Sequence, residues 1–142
     1  MPVAAPSYQF ILRGHVPAKK NRWHRARAGG MYFDRAGIDE ALNSLTLQAR
    51  VNWLGEPLSC PEVGLVFFVR DGKGDLDNKT STVLDCLVKA GVLTNDSIAH
   101  LPGPLTARAQ VDPDERTIVV LTGGKRHDPR ARKPAKKRKR AA

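Results

Sequence analysis

The chain has 142 residues, 41% of them hydrophobic, and a formal net charge of +10. That length suits one ordinary domain, and that apolar content excludes a wholly disordered chain. The longest apolar run, "VGLVFFV" at 63–69, is far short of the roughly 20 residues a membrane span needs, and Cys60 and Cys86 form no CxxC pair, which excludes a zinc ribbon and a disulfide framework.

The charge is uneven. Residues 123–142 hold ten Lys/Arg against one Asp, a net of +9, so residues 1–122 are almost neutral. A stretch such as "RARKPAKKRKRAA" repels itself and has little to bury, which predicts a disordered tail over 123–142 behind a domain over 1–122. A polycation of this kind seeks a polyanion, and nucleic acid is the first candidate. The N-terminal "MPVAAPSYQF" has neither a basic stretch nor an apolar core of a secretory signal. With the cysteine usage, this suits a reducing cytoplasm.

In chain order, "YQFILRG" at 8–14 alternates as a strand does and ends at Gly14. "HVPAKKNRWHRARAGGMYF" at 15–33 reads as a basic loop or hairpin, with 22–27 outbound, Gly29-Gly30 as a tight turn and Met31–Phe33 returning. Ile38, Ala41, Leu42, Leu45 and Ala49 repeat at helical spacing and predict a helix from about Arg35 to Trp53, stopped by Gly55 and Pro57. "EVGLVFFVR" at 62–70 is β-branched and aromatic, which predicts a buried central strand. After the loop "DGKG", Asp77 or Asn78 is a good N-cap for a helix to about Ala90. Its stripe is Val83, Leu84, Leu87 and Val88, with Gly91 as the stop. "LTARAQVD" at 105–112 and "RTIVVLTG" at 116–123 read as strands joined by a turn at "DPDE". The expected class is α/β (α+β), a single domain with two main helices and a mixed sheet, in the order β-β-β-α-β-α-β-β.

The acids gather in one place. In "GKGDLDNKTSTVLDCLVKAGVLTNDSIAH" at 72–100, Asp75 and Asp77 flank Leu76, Asn78 follows, and Asp96 comes 19 residues after Asp77. Two or three converging carboxylates suffice for Mg²⁺, which prefers hard oxygen ligands and keeps several waters. An extended backbone across Leu76 turns Asp75 and Asp77 to one side and Leu76 into the core. Asn78 then caps the helix or steadies a ligand. Asp96 reaches them after a tight reversal, or a second subunit supplies it. The competing reading needs no metal, because acids at a helix N-terminus are favoured by capping and by the macrodipole. Carboxylates beside cationic segments are nevertheless what metal-dependent phosphodiester cleavage requires. Lys19, Lys20, Arg22, Arg25 and Arg27 fall within nine residues, with Trp23 and His24 among them, and suit phosphate contacts and base stacking. His15, His24, His100 and His127 show no ligand spacing. Thr80, Ser81 and Thr82 sit in no nucleophile motif.

The stretch "GDLDNKTSTVLDCLVKAGVLTNDSIAH" resembles the signature of the RusA-type Holliday junction resolvases: Asp-x-Asp-Asn, a helix with Asp and Leu near its middle, a short loop and a further Asp. "PAKKNRWHRARAGGMYF" is similar to the family's early segment, and the likeness covers residues 8–121. The resemblance implies a small homodimer that cuts four-way DNA junctions with Mg²⁺, Mn²⁺ being an expected substitute. It implies catalytic, metal-holding roles for Asp75, Asp77 and Asp96. Asn78, Lys79 and Asp85 become supporting residues. The family's lysine three places after the Asn is Ser81 here, and the usual Asp-Asp of the last motif is Asn95-Asp96. Two alternatives stay open: a nucleic-acid-binding protein without catalysis, and a nuclease for flaps or forks.

Overall fold

The computed structural model describes residues 5–17, 23–25, 31–33 and 35–126. Strand β1 (Ser7–Arg13) leads to the short β2 (Trp23–Arg25) and β3 (Met31–Phe33), then to helix α1 (Arg35–Asn52). Strands β4 (Leu58–Ser59) and β5 (Glu62–Val69) precede helix α2 (Leu76–Lys89). Strands β6 (Leu105–Val111), β7 (Arg116–Thr122) and β8 (Lys125–Arg126) complete the order. The protein is a single α+β domain with two helices and a mixed four-stranded sheet, as the patterning predicts.

Period-2 alternation decides which sheet face is buried. Phe10 and Leu12 of β1, Val63, Leu65 and Phe67 of β5, and Val119 and Leu121 of β7 all turn to the helices. There they meet Ile38, Leu42, Leu45 and Ala49 of α1 and Val83, Leu84 and Leu87 of α2. The paired strands β2 and β3 match the expected hairpin, with Trp23 opposite Phe33 and Arg25 opposite Met31.

The strand order is β1-β7-β5-β6, with β5 and β6 parallel and the other pairs antiparallel. This corrects the expected hairpin at "DPDE". Strands β6 and β7 are not neighbours, because β5 lies between them. The most apolar strand takes an internal place, and the turn crosses its end. Asp112 accepts there from the Asp114 N–H at 2.9 Å and from the Arg116 guanidinium at 3.2 Å.

The domain also runs past residue 122. Gly123 and Gly124, with φ of 72° and 80°, swing the chain so that Lys125 and Arg126 pair with β4. Arg126 donates to the Leu54 carbonyl at 3.0 Å and lies over the Trp53 ring at 4.8 Å. Residues 127–142, the bulk of the expected tail, lie outside the described residues. Among the described residues no helix is long and apolar enough to cross a membrane.

Candidate functional site

Strand β5 delivers the chain into the loop at 71–74, where Asp71 accepts from the Lys73 N–H at 3.0 Å. Gly74 has φ of +96°, and a Cβ there would sit 3.4 Å from Cε of Lys79, so both backbone and space favour glycine. Helix α2 then begins earlier than either expected cap. Asp75 is its N-cap, extended at φ −105° and ψ 133°, and its carbonyl accepts from the Lys79 N–H at 3.2 Å to close the first turn. Leu76 and Asp77 are therefore helical. Leu76 is not a core anchor but stays 38% exposed.

This start separates the two acids. Successive helical residues turn by about 100°, so positions 75 and 79 share one flank while 77 and 81 share the other. Asp75 lines a hollow of about 210 Å³ with Asp71, Lys73, Lys79 and Gln110. Asp77 lines a second, of about 550 Å³, with Thr80, Ser81, Leu84, Asp96, Leu105 and Ala107. Leu76 forms the partition and belongs to both.

Asn78 connects the acids across that partition. It is 7% exposed, its side-chain amide donates to Asp75 Oδ2 at 3.3 Å, and its backbone N–H donates to Asp77 Oδ1 at 2.9 Å. Neither acid caps the helix through its side chain in the usual way. Asn78 thus holds the ligand candidates rather than serving as the cap.

Asp96 arrives from the same chain. Gly91 takes φ of +79°, the Val92 N–H bonds to the Leu87 carbonyl at 2.9 Å, and Leu93 bridges to Leu58. The Leu58 N–H donates to the Val92 carbonyl and the Thr94 N–H to the Leu58 carbonyl, at 2.8 and 3.0 Å. Asn95 Oδ1 then accepts from the N–H groups of Asp96 and Ser97 at 2.7 and 3.2 Å and fixes the bend. No second subunit is needed to bring Asp96 to the hollow of Asp77. Among the described residues, no three His, Cys, Asp or Glu side chains form a group close enough to hold a metal ion together.

Lys79 lies on the flank of Asp75, 6% exposed, and its ammonium donates to the Val16 carbonyl at 2.9 Å. Burial pushes its pKa below the ordinary 10.5, against the opposing pull of Glu115 and Asp71. It does not stand in for the lysine that the resemblance places at Ser81, because α2 is helical from Leu76 onward and Ser81 faces the other hollow. Asp85 is half-buried and lines neither hollow. Lys19, Lys20, Arg22 and Arg27 lie outside the described residues, and Arg25 is placed only as the end of β2. His100 pairs with Thr94 at 2.8 Å, and His15 with Glu115 at 2.8 Å.

The walls of the larger hollow escaped the sequence reading. Thr80 and Ser81 carry no nucleophile motif, yet Ser81 is four residues after Asp77, a helical neighbour on the same flank. Leu105 and Ala107 give no local signal, since only the parallel placement of β6 beside β5 brings them there. No family model matches the chain, and no curated protein is significantly similar to it.

Proposed function

We propose that this protein is a Mg²⁺-dependent, structure-selective DNA endonuclease that resolves four-way junctions by paired nicks. The observation that carries the reading is the meeting of Asp77 and Asp96, 19 residues apart, on one hollow at the N-terminus of α2. Their donor set suits a hard dication that keeps most of its water. Asp75 is the third ligand candidate, oriented from across Leu76 by Asn78. The bound ion supplies an activated water and charge stabilisation on the phosphate.

The chain's own residues divide the remaining work. Asp77 and Asp96 present carboxylate oxygens to the hollow. Asn78 fixes the carboxylates of Asp75 and Asp77. Lys19, Lys20, Arg22, Arg25 and Arg27 are assigned to the DNA backbone, and the cationic residues of 127–142 to salt-sensitive, sequence-independent affinity.

The test uses purified full-length protein and a labelled synthetic four-way junction, with and without Mg²⁺, beside Asp77→Asn and linear duplex, flap and fork controls. The expected result is paired nicks across the junction that disappear without metal and in Asp77→Asn. Tight junction binding with no cutting in Mg²⁺ or Mn²⁺ would favour a binding protein. Preferential cutting of flaps or forks would move the substrate while keeping the chemistry.

A further inference from the structure

The sheet has two outer edges, and they are treated differently. On β1, the Arg13 N–H donates to Gln48 Oε1 at 2.6 Å, and the Gln48 amide donates back to the Arg13 carbonyl at 2.8 Å. Helix α1 thus covers part of that edge. Strand β6 has no such cover. The Asp112 N–H bonds to the Val69 carbonyl and the Val63 N–H to the Pro104 carbonyl, so the even-numbered residues of this strand point at β5. Alternation then turns the N–H and C=O groups of Leu105, Ala107, Ala109 and Val111 outward. Among the described residues none of these outward groups has a hydrogen-bond partner.

Proteins usually blunt such an edge with lysine, proline, a bulge or a covering loop. The strand "LTARAQV" has a single charge and no proline, and Leu105 and Val111 are 43% and 63% exposed. An edge left this way suits an extended strand, and its own sequence is complementary to itself in one register. A two-fold centred on Arg108 would place two guanidiniums directly opposite each other, which is unfavourable. A two-fold centred on Ala109 sets Arg108 opposite Gln110 and diagonal to Asp112, and Ala107 opposite Val111. All outward groups from Ala107 to Val111 are then paired.

We infer that β6 is the homodimer interface, where two copies pair their β6 strands antiparallel about Ala109 into one eight-stranded sheet. Directly opposed residues share a face, so Val111 of the second copy stands beside Ala107 at the open side of the hollow that holds Asp77 and Asp96. The isologous contact sets two such hollows on one two-fold axis. The inference deepens the nuclease reading and rests on it only for the use made of that pair.

The test needs neither DNA nor metal, so its failure is distinguishable from failure of the nuclease reading. Wild-type protein should sediment at twice the 15.6 kDa chain mass. Ala109→Pro, which removes an outward N–H unused within its own sheet, should sediment as the single chain with an unchanged far-ultraviolet spectrum. Ala109→Cys in a Cys60→Ser background should form a covalent dimer on mild oxidation, because Cα atoms of a directly opposed hydrogen-bonded pair lie about 5.5 Å apart, within disulfide reach. Ile11→Cys on β1 should remain unlinked in the same background. Wild-type protein sedimenting as a single chain would overturn the inference. So would a dimer in which Ala109→Cys stays unlinked, even if Ala109→Pro fails to fold.

Discussion

The hollows on either side of Leu76 are built from neighbouring residues of one helical turn, yet their chemistry differs. The smaller contains Asp75 with two lysines, one of them buried, and a second aspartate. The larger contains Asp77 and Asp96 with hydroxyls and apolar walls, and no Lys or Arg lines it. Acids adjacent in sequence have thus been sent to unlike surroundings by helical phase alone. The acids that do share a hollow come from opposite ends of a helix and the loop that returns from it.

The largest effect separates the structural flank of α2 from both hollows. Leu87 is fully buried beneath the helix, and Leu87→Ala should destabilise the fold by about 2–5 kcal/mol in urea unfolding. Metal-dependent cutting per folded molecule should change little. Asn78→Ala removes the residue that ties the hollows together and should lower apparent Mg²⁺ affinity or junction cutting by about 10–100-fold, read from metal titrations of the nicking rate. If the smaller hollow were irrelevant, the loss of the Asp75 contact would leave this rate unchanged.

Smaller effects sharpen the contrast further. Ser81→Lys puts an ammonium on the flank of Asp77, where the wild-type chain has none, and should raise junction cutting by up to about tenfold, with Lys79→Arg as a comparison on the other flank. The smallest effect is a pH dependence of stability. The folded pKa of Lys79 lies below its ordinary 10.5, so the unfolded chain binds the extra proton between those two values. Wild-type stability should therefore rise with pH across that window, and the rise should be absent in Lys79→Met, measured by chemical denaturation with a chelator present.

Much of this architecture was legible in the sequence because it is local. Ile38, Leu42, Leu45 and Ala49 mark α1 within a residue or two of its ends, and the alternation of β1 and the run of β5 mark strands correctly. The start of α2 was not legible, since Asp75, Asp77 and Asn78 are all good caps and only the bond from the Lys79 N–H to the Asp75 carbonyl selects among them. The separation of β6 from β7 and the pairing of β8 with β4 are non-local choices that leave no periodic mark. The acids were found by their clustering. That Asp96 joins Asp77 within one chain depends on the Gly91 reversal and the Leu58–Leu93 bridge, of which only the glycine shows in the sequence.

The most direct test of the shared acidic site is a double-mutant cycle on Mg²⁺-dependent junction cleavage with Asp77→Asn, Asp96→Asn and the pair. Each single change should reduce cleavage by roughly a hundred- to a thousandfold, and the double variant should be no worse than either, because the two carboxylates serve one ion. Losses that multiply, or cleavage that survives Asp77→Asn, would contradict the account.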